Sequence, residues 1–319
     1  MSPTPRPSFP PPASISPAAQ AALAVPQLGE RRPEPALDDI EGWERWIAEL
    51  EAPLEQMFSG VEITDDVVTH TEIEIGGVRT HVLRPAHIEA DAPTPLVVEL
   101  HGGGLIVGGG ALAWKMAAYR AAGRNAITWV PDYRMPPHHP YPAALDDCLA
   151  VYRQALAEQG AARLAVFGAS AGGNLAAALM HRLRDEGLAL PAALVLMTPE
   201  LDLTESGDTF TTLLGVDTRL GLLAPVNRLY AAGHDLTHPY LSPLFGDVTG
   251  FPPTFLQSGT RDLYLSNTVR MHRKLLNAGV PVELRVMEAA PHGGFGGRTP
   301  EDREVEQDVL HFLDQHLGT

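Results

Sequence analysis

The sequence predicts an α/β fold: a mostly parallel central sheet of about eight strands flanked by helices, with a helical cap. Three observations carry that prediction. From Leu96 onward, short apolar runs at 96–100, 126–130, 164–167, 192–197, 254–257 and 282–286 alternate with helix-like stretches. Strands covered by helices on both faces read this way, because neither face meets water. Before them, Val67 to Ile75 alternates apolar and polar residues, Gly76-Gly77 follows, and Val78 to Leu83 resumes the pattern. That is the signature of a β-hairpin. Finally, Gly168-Ala169-Ser170-Ala171-Gly172 stands between the run 164–167 and the helix-like Asn174–Met180, the arrangement of a sharp strand–turn–helix elbow.

Taken in order, residues 1–17 are rich in proline and serine and read as a disordered tail. Residues 18–60 read as N-terminal cap helices. Ala18 to Val25 lacks the basic and small-residue flanks of a signal peptide and starts a helix. Asp38 to Phe58 repeats Trp43, Trp46, Ile47 and Leu50 at helical spacing, with Pro53 interrupting. Residues 61–319 form the main domain. The stretch from about 203 to 250 breaks its strand–helix rhythm, and so long a connection inside a compact domain reads as a second part of the cap.

Composition narrows the partners. A formal charge of −16 argues against nucleic acid or an anionic membrane surface. Cys148 is the only cysteine, so no intramolecular disulfide is possible. No apolar run approaches the ~18 residues that span a bilayer. The expectation is a cytoplasmic protein acting on a small molecule, with a homodimer left open.

Chemistry-bearing residues gather at the ends of the runs. Glycines around Ser170 would let a strained turn push its hydroxyl out above the sheet. His101-Gly102-Gly103-Gly104 follows the run 96–100, Asp262 follows 254–257, and His292 follows 282–286. Acyl transfer builds negative charge on a carbonyl oxygen, and a glycine loop can aim backbone N–H groups at that charge. The order Ser, Asp, His with such a loop upstream is that of an α/β-hydrolase triad. A phosphate loop would need a lysine that does not follow Gly104 or Gly108-Gly109-Gly110 at the right spacing. His138, His139, His234 and His238 form no metal-ligand pattern, so neither a metal nor a cofactor is expected. Glu200, at another strand end, is a second candidate acid.

The motifs His101–Gly104, Pro131-Asp132-Tyr133-Arg134, His139–Ala144, Ser170–Leu175, Asp262-Leu263 and His292-Gly293 together resemble the bacterial hormone-sensitive-lipase-like esterases, often called family IV, from about residue 65 to the end. Residues 234–247 and Gly259–Asp262 look closest to the monoterpene ε-lactone hydrolase-like members. The resemblance implies an α/β-hydrolase fold, a nucleophilic Ser170, a general base His292 oriented by Asp262, and an oxyanion hole from the N–H groups of Gly103, Gly104 and Ala171. Two departures stand out. Ala169 replaces the usual acidic residue before the serine, and Gly294 is inserted before Phe295, which is expected to loosen the histidine loop. Trp43, Phe58 and Leu213 are the expected pocket-lining residues. The implied activity is hydrolysis of short- to medium-chain acyl esters. The alternatives are a lactone hydrolase with the same triad, or a non-catalytic small-molecule-binding relative of the fold. An acid limb of activity is expected near the ordinary histidine value of about 6.5.

Overall fold

The computed structural model describes residues 9–24, 33–89 and 91–319. Helices α1 (Pro17–Leu23) and α2 (Ile40–Ser59) precede the hairpin of β1 (Val68–Ile75) and β2 (Val78–Pro85). Then come β3 (Leu96–Leu100), α3 (Gly110–Ala121), β4 (Ile127–Pro131), α4 (Ala143–Gln159), β5 (Leu164–Ala169), α5 (Ala171–Asp185) and β6 (Ala193–Met197). After α6 (Thr209–Thr212) and α7 (Ala224–Ala231), the chain ends with β7 (Thr254–Gly259), α8 (Leu265–Asn277), β8 (Val282–Met287) and α9 (Pro300–Leu317).

The sheet has eight strands in the order β1-β2-β4-β3-β5-β6-β7-β8. The pairs β1–β2 and β2–β4 are antiparallel, and the remaining pairs are parallel. Register brings Leu100 beside Gly168, and Ala169 beside Met197. The carboxyl ends of β3, β5, β6 and β7 therefore share one edge, where α/β sheets collect their functional groups. Apolar side chains of α4 and α5 pack on one face of the sheet, and α9 packs against Val97, Phe167, Val195 and Phe255 on the other. Among the described residues no helix is long and apolar enough to cross a membrane.

One strand residue breaks the apolar pattern. Glu99 of β3 is fully buried and forms ion pairs with Arg120 and Arg124. Burial would raise its pKa, but the two guanidiniums outweigh that and hold it below the ordinary value.

Three expectations are corrected. Residues 1–8 lie outside the described residues, but residues 9–17 are not a free tail. Ile15 is buried, and the Ser16 N–H and hydroxyl both donate to the Glu301 carboxylate. Ser16 also caps α1 by accepting from the Ala19 N–H. Second, α1 does not join α2 over the site. Ala19 and Leu23 pack with Met287, Ala290, Phe295 and Val305, bracing the loop that carries His292. Third, α2 runs through Pro53 without ending. Pro53 is exposed, while Trp43, Trp46, Ile47 and Leu54 on the other side pack into one apolar cluster that holds both halves of the helix. Propensity loses to packing here.

Ile15→Ala tests the first correction. Removing a buried isoleucine should cost about 2–4 kcal/mol of unfolding free energy, measured by urea denaturation. A free tail would leave the midpoint unchanged.

Candidate active site

Ser170 is held in a conformation that few non-glycine residues adopt, with φ 56° and ψ −120°. Such strain costs on the order of 1–3 kcal/mol and persists only where the surroundings enforce it. Here they do. The Ser170 N–H donates to Met197 O at 2.9 Å, and its carbonyl accepts from the N–H groups of Gly173, Asn174 and Glu200. Gly172 must be glycine, because a Cβ there would overlap the carbonyl oxygen of Leu100 on β3. The turn thus wedges Ser170 between β3 and β6 at the start of α5.

The structure brings the predicted Ser170, His292 and Asp262 together. Ser170 Oγ lies 2.9 Å from His292 Nε2, and His292 Nδ1 lies 3.0 Å from Asp262 Oδ1. A carboxylate only accepts, so Nδ1 carries the proton and Nε2 presents a lone pair to the serine hydroxyl. Asp262 is fully buried and also accepts from Ser258 Oγ at 2.7 Å and the Tyr264 N–H at 2.9 Å. Burial pulls the His292 pKa down, but Asp262, with Asp217 and Glu200 adding, outweighs it and raises the imidazole above its ordinary value. The acid limb of activity therefore belongs above about 6.5, a correction to the unperturbed value.

The glycine loop after β3 abuts the elbow. A side chain at Gly102 would stand 3.3 Å from Ser170 Cβ. Gly103, at φ 130°, must be glycine because a Cβ would overlap the Val107 carbonyl. Among the described residues the N–H groups of Gly103, Gly104 and Ala171 find no backbone acceptor. His101 braces the loop from below. Its ring stacks on Tyr133 at 4.0 Å, and the Tyr133 hydroxyl donates to His101 O at 2.7 Å. Burial depresses the His101 pKa to about 4, so the brace is neutral at working pH.

The residues that follow the extra glycine are tied to the start of α9. Asp302 at the start of α9 accepts from the N–H groups of Phe295, Arg298 and Thr299 and closes a capping box with Thr299.

The expected pocket residues separate. Trp43 has no exposed surface, its indole N–H donates to Ala36 O, and it packs edge-on against Trp46. It anchors α2 and offers no face to a ligand. Phe58 lies at the far end of α2, seven residues past Glu51, which is about 10 Å along a helix. There it borders a cleft of about 200 Å³ with Glu55, Ser59, Ala111, Leu112 and Lys115, none of them a residue of the Ser170 site. Leu213 is half-buried on the apolar cluster that includes Val107, Phe210 and Leu223. Leu223, which sequence reasoning missed, reaches to 3.7 Å from where a side chain at Gly104 would begin, so an apolar wall faces the glycine loop.

Two acids complete the surroundings. Asp217, also missed, is buried and accepts from the backbone of Leu263 and His292. Glu200 is buried beside the elbow, and among the described residues neither of its oxygens has a hydrogen-bond partner of normal geometry. Burial pushes its pKa to about 7, with the Tyr264 hydroxyl and the Asn227 amide opposing the rise. Away from the site, His70, Glu72 and His81 cluster on the hairpin, with 3.1 Å between His70 Nε2 and His81 Nδ1. A cation on His81 Nδ1 would force the ring proton onto Nε2, which is buried without an acceptor among the described residues. The trio reads instead as a hydrogen-bonded group.

A family described as having the alpha/beta hydrolase fold matches residues 97–295. An acetyl-hydrolase of Streptomyces hygroscopicus is 36% identical over 222 residues, covering 68% of this chain and 71% of that protein. The crystal structure of an esterase superposes with a TM-score of 0.85 at 34% identity, covering 99% of each chain. That of an esterase from the bacterial hormone-sensitive lipase family gives 0.78 at 26% identity, covering 95% of this chain and 99% of that one.

Glu200 makes stability depend on pH. Its folded pKa of about 7 lies above the ordinary 4.5. Between these values the unfolded carboxyl ionises while the folded one stays protonated, so stability falls as pH rises. The difference is on the order of 3 kcal/mol. Glu200→Gln should raise Tm by several degrees at about pH 8, a gain that vanishes near about pH 5. A pH-independent change in Tm would refute the burial account.

Proposed function

Because the chain belongs to the α/β-hydrolase family and, within it, to the hormone-sensitive-lipase-like esterases, we propose that it is a cofactor-free serine carboxylesterase acting on short- to medium-chain acyl esters. The observation that carries this reading is the unbroken chain Ser170 Oγ, His292 Nε2, His292 Nδ1, Asp262 Oδ1, at 2.9 and 3.0 Å. His292 Nε2 takes the hydroxyl proton as Ser170 Oγ bonds to the ester carbonyl carbon. The carbonyl oxygen becomes negative and is met by the N–H groups of Gly103, Gly104 and Ala171. A donor of this kind contributes on the order of 3 kcal/mol to the transition state. The C–O bond then breaks, and the alcohol leaves with the proton from Nε2. Water then gives a proton to the same nitrogen as its oxygen bonds to the acyl carbon; the bond from that carbon to Ser170 Oγ breaks, the carboxylic acid leaves, and Nε2 returns the proton to Oγ. Asp262 keeps the proton on Nδ1 throughout and offsets the charge of the imidazolium.

The cap is formed by α2 and the segment between β6 and β7. Leu213 and Leu223 give the acyl chain an apolar surface of modest extent. A lactone is an internal ester and meets the same machinery, so lactones belong beside esters in a substrate panel. The lone cysteine fits a cytoplasmic small-molecule hydrolase.

Ser170→Ala should lower turnover of p-nitrophenyl butyrate by several orders of magnitude, and a serine-directed phosphonate should label Ser170 in the wild type. Retention of more than about a tenth of wild-type turnover would contradict the assignment. Leu223→Ala should change the ratio of kcat/KM between acetyl and hexanoyl esters by about 3- to 10-fold. Trp43→Ala should instead lower stability by about 3–5 kcal/mol and leave that ratio unchanged.

A further inference from the structure

Asp217 lies on the segment between β6 and β7, four residues beyond Leu213 on the wall and six before Leu223. Its side chain leaves that segment and enters the catalytic loops, where it is 3% exposed. Oδ1 accepts from the N–H groups of Arg219 at 2.9 Å and Leu220 at 3.2 Å, which fix the acid to its own turn. Oδ2 accepts from the Leu263 N–H at 3.0 Å, the residue directly after Asp262. The His292 N–H approaches both oxygens, at 3.3 Å and 3.4 Å. One carboxylate thus joins three pieces of chain: the cap segment, the loop of the triad acid and the loop of the triad base. Nothing else described ties these three together through a single side chain.

We propose that Asp217 is a positioning residue, through which the cap segment holds the His292 and Asp262 loops at the spacing that keeps the imidazole within reach of Ser170. The proposal rests on the hydrolase reading of that triad. It follows from the two long bonds to His292. The imidazole has little freedom of its own between Ser170 and Asp262, so its reach depends on where its backbone is held. A misplacement of about 1 Å is enough to cost roughly 100-fold in rate. Asp217 also adds charge. The titratable groups that face His292 are Asp262 on the ring Nδ1, Asp217 from the cap segment, Glu200 from the end of β6, and Tyr264, whose ring stands edge-on at 4.9 Å. Tyr264 stays neutral, so the relevant charge is that of Asp217, and removing it makes the imidazole easier to deprotonate.

The test is Asp217→Asn, with Phe312→Leu, on the face of α9 that packs on the sheet, as a control for general destabilisation. On p-nitrophenyl butyrate, kcat should fall roughly 10- to 100-fold with KM within about twofold of wild type. The acid limb of kcat/KM should move to lower pH by about 0.5 unit. Ring-proton NMR of His292 should show the same shift in the resting protein. Phe312→Leu should lower Tm with neither effect. If the asparagine variant does not fold, Asp217→Ser, smaller and still an acceptor, carries the same expectations. The proposal is overturned if both variants fail to fold, since the residue is then structural first. It is equally overturned if a folded variant keeps kcat within about twofold and an unmoved titration. Because the NMR titration needs no turnover, inactivity of the wild type towards esters would sink the hydrolase reading and leave the positional test standing.

Discussion

The strained turn at Ser170 is the constraint from which the rest of the site is laid out. Its positive φ is tolerated because the carbonyl of Ser170 takes three N–H donors and its own N–H reaches β6. Those bonds require β5 and β6 to be in register and α5 to begin at Ala171. The helix in turn needs Gly172 so that it can press against β3. β3 then delivers the glycine loop to Ser170. Sheet register, helix start and loop position are consequences of one turn. Asn174, one helical turn in, extends the same hub by donating to the carbonyls of Glu200 and Leu241, so the end of β6 and the chain after α7 are tied to it as well.

Around this hub the chain handles buried acids in opposite ways. Glu99 sits mid-strand, and its two arginines hold the pKa down, so it stays charged and acts as a rivet between β3 and the C-terminal end of α3 with the chain just after it. Glu200 sits at the site with no comparable partner, and burial pushes its pKa up. A paired acid raises few questions about chemistry. A poorly satisfied one beside a nucleophile is the arrangement in which stability is conceded to a site. Asp217 falls between the two: it is buried, but its oxygens are occupied by backbone donors drawn from three segments.

The segments over the site are held by polar contacts as well as by apolar packing. The Gly108 N–H donates to Glu51 on α2, and Lys115 donates to the Phe58 carbonyl. Trp43 and Trp46 contribute the apolar part, with Phe210, Leu223, Val226 and Tyr264 from the segments beyond β6 and β7. The same cluster therefore reaches Leu223 on one side and Tyr264, against His292, on the other. The apolar side chain beside the glycine loop and the neighbour of His292 thus share one packed unit, while α1 packs against the His292 loop in a separate cluster.

Much of this was legible in the sequence. Buried parallel strands announce themselves as apolar runs, because two covered faces leave no room for alternation. The elbow announces itself through glycines that sterics demand. Ser170, Asp262 and His292 were readable because each lies in the short loop or turn after such a run. Where a side chain meets something distant in sequence, the chain alone did not decide. Trp43 and Phe58 look alike on a helical wheel, yet one is sealed in the core and the other borders a cleft against α3, because the neighbours of α2 come from elsewhere. Helix α1 went to α9 through Ser16 and Glu301, 285 residues apart. Asp217 carries no motif, and its partner His292 lies 75 residues on. The pKa of His292 depends on three carboxylates from three loops. Local sequence fixes local geometry through sterics and periodicity, whereas burial and charge are properties of the assembled neighbourhood, and only the tertiary structure supplies that.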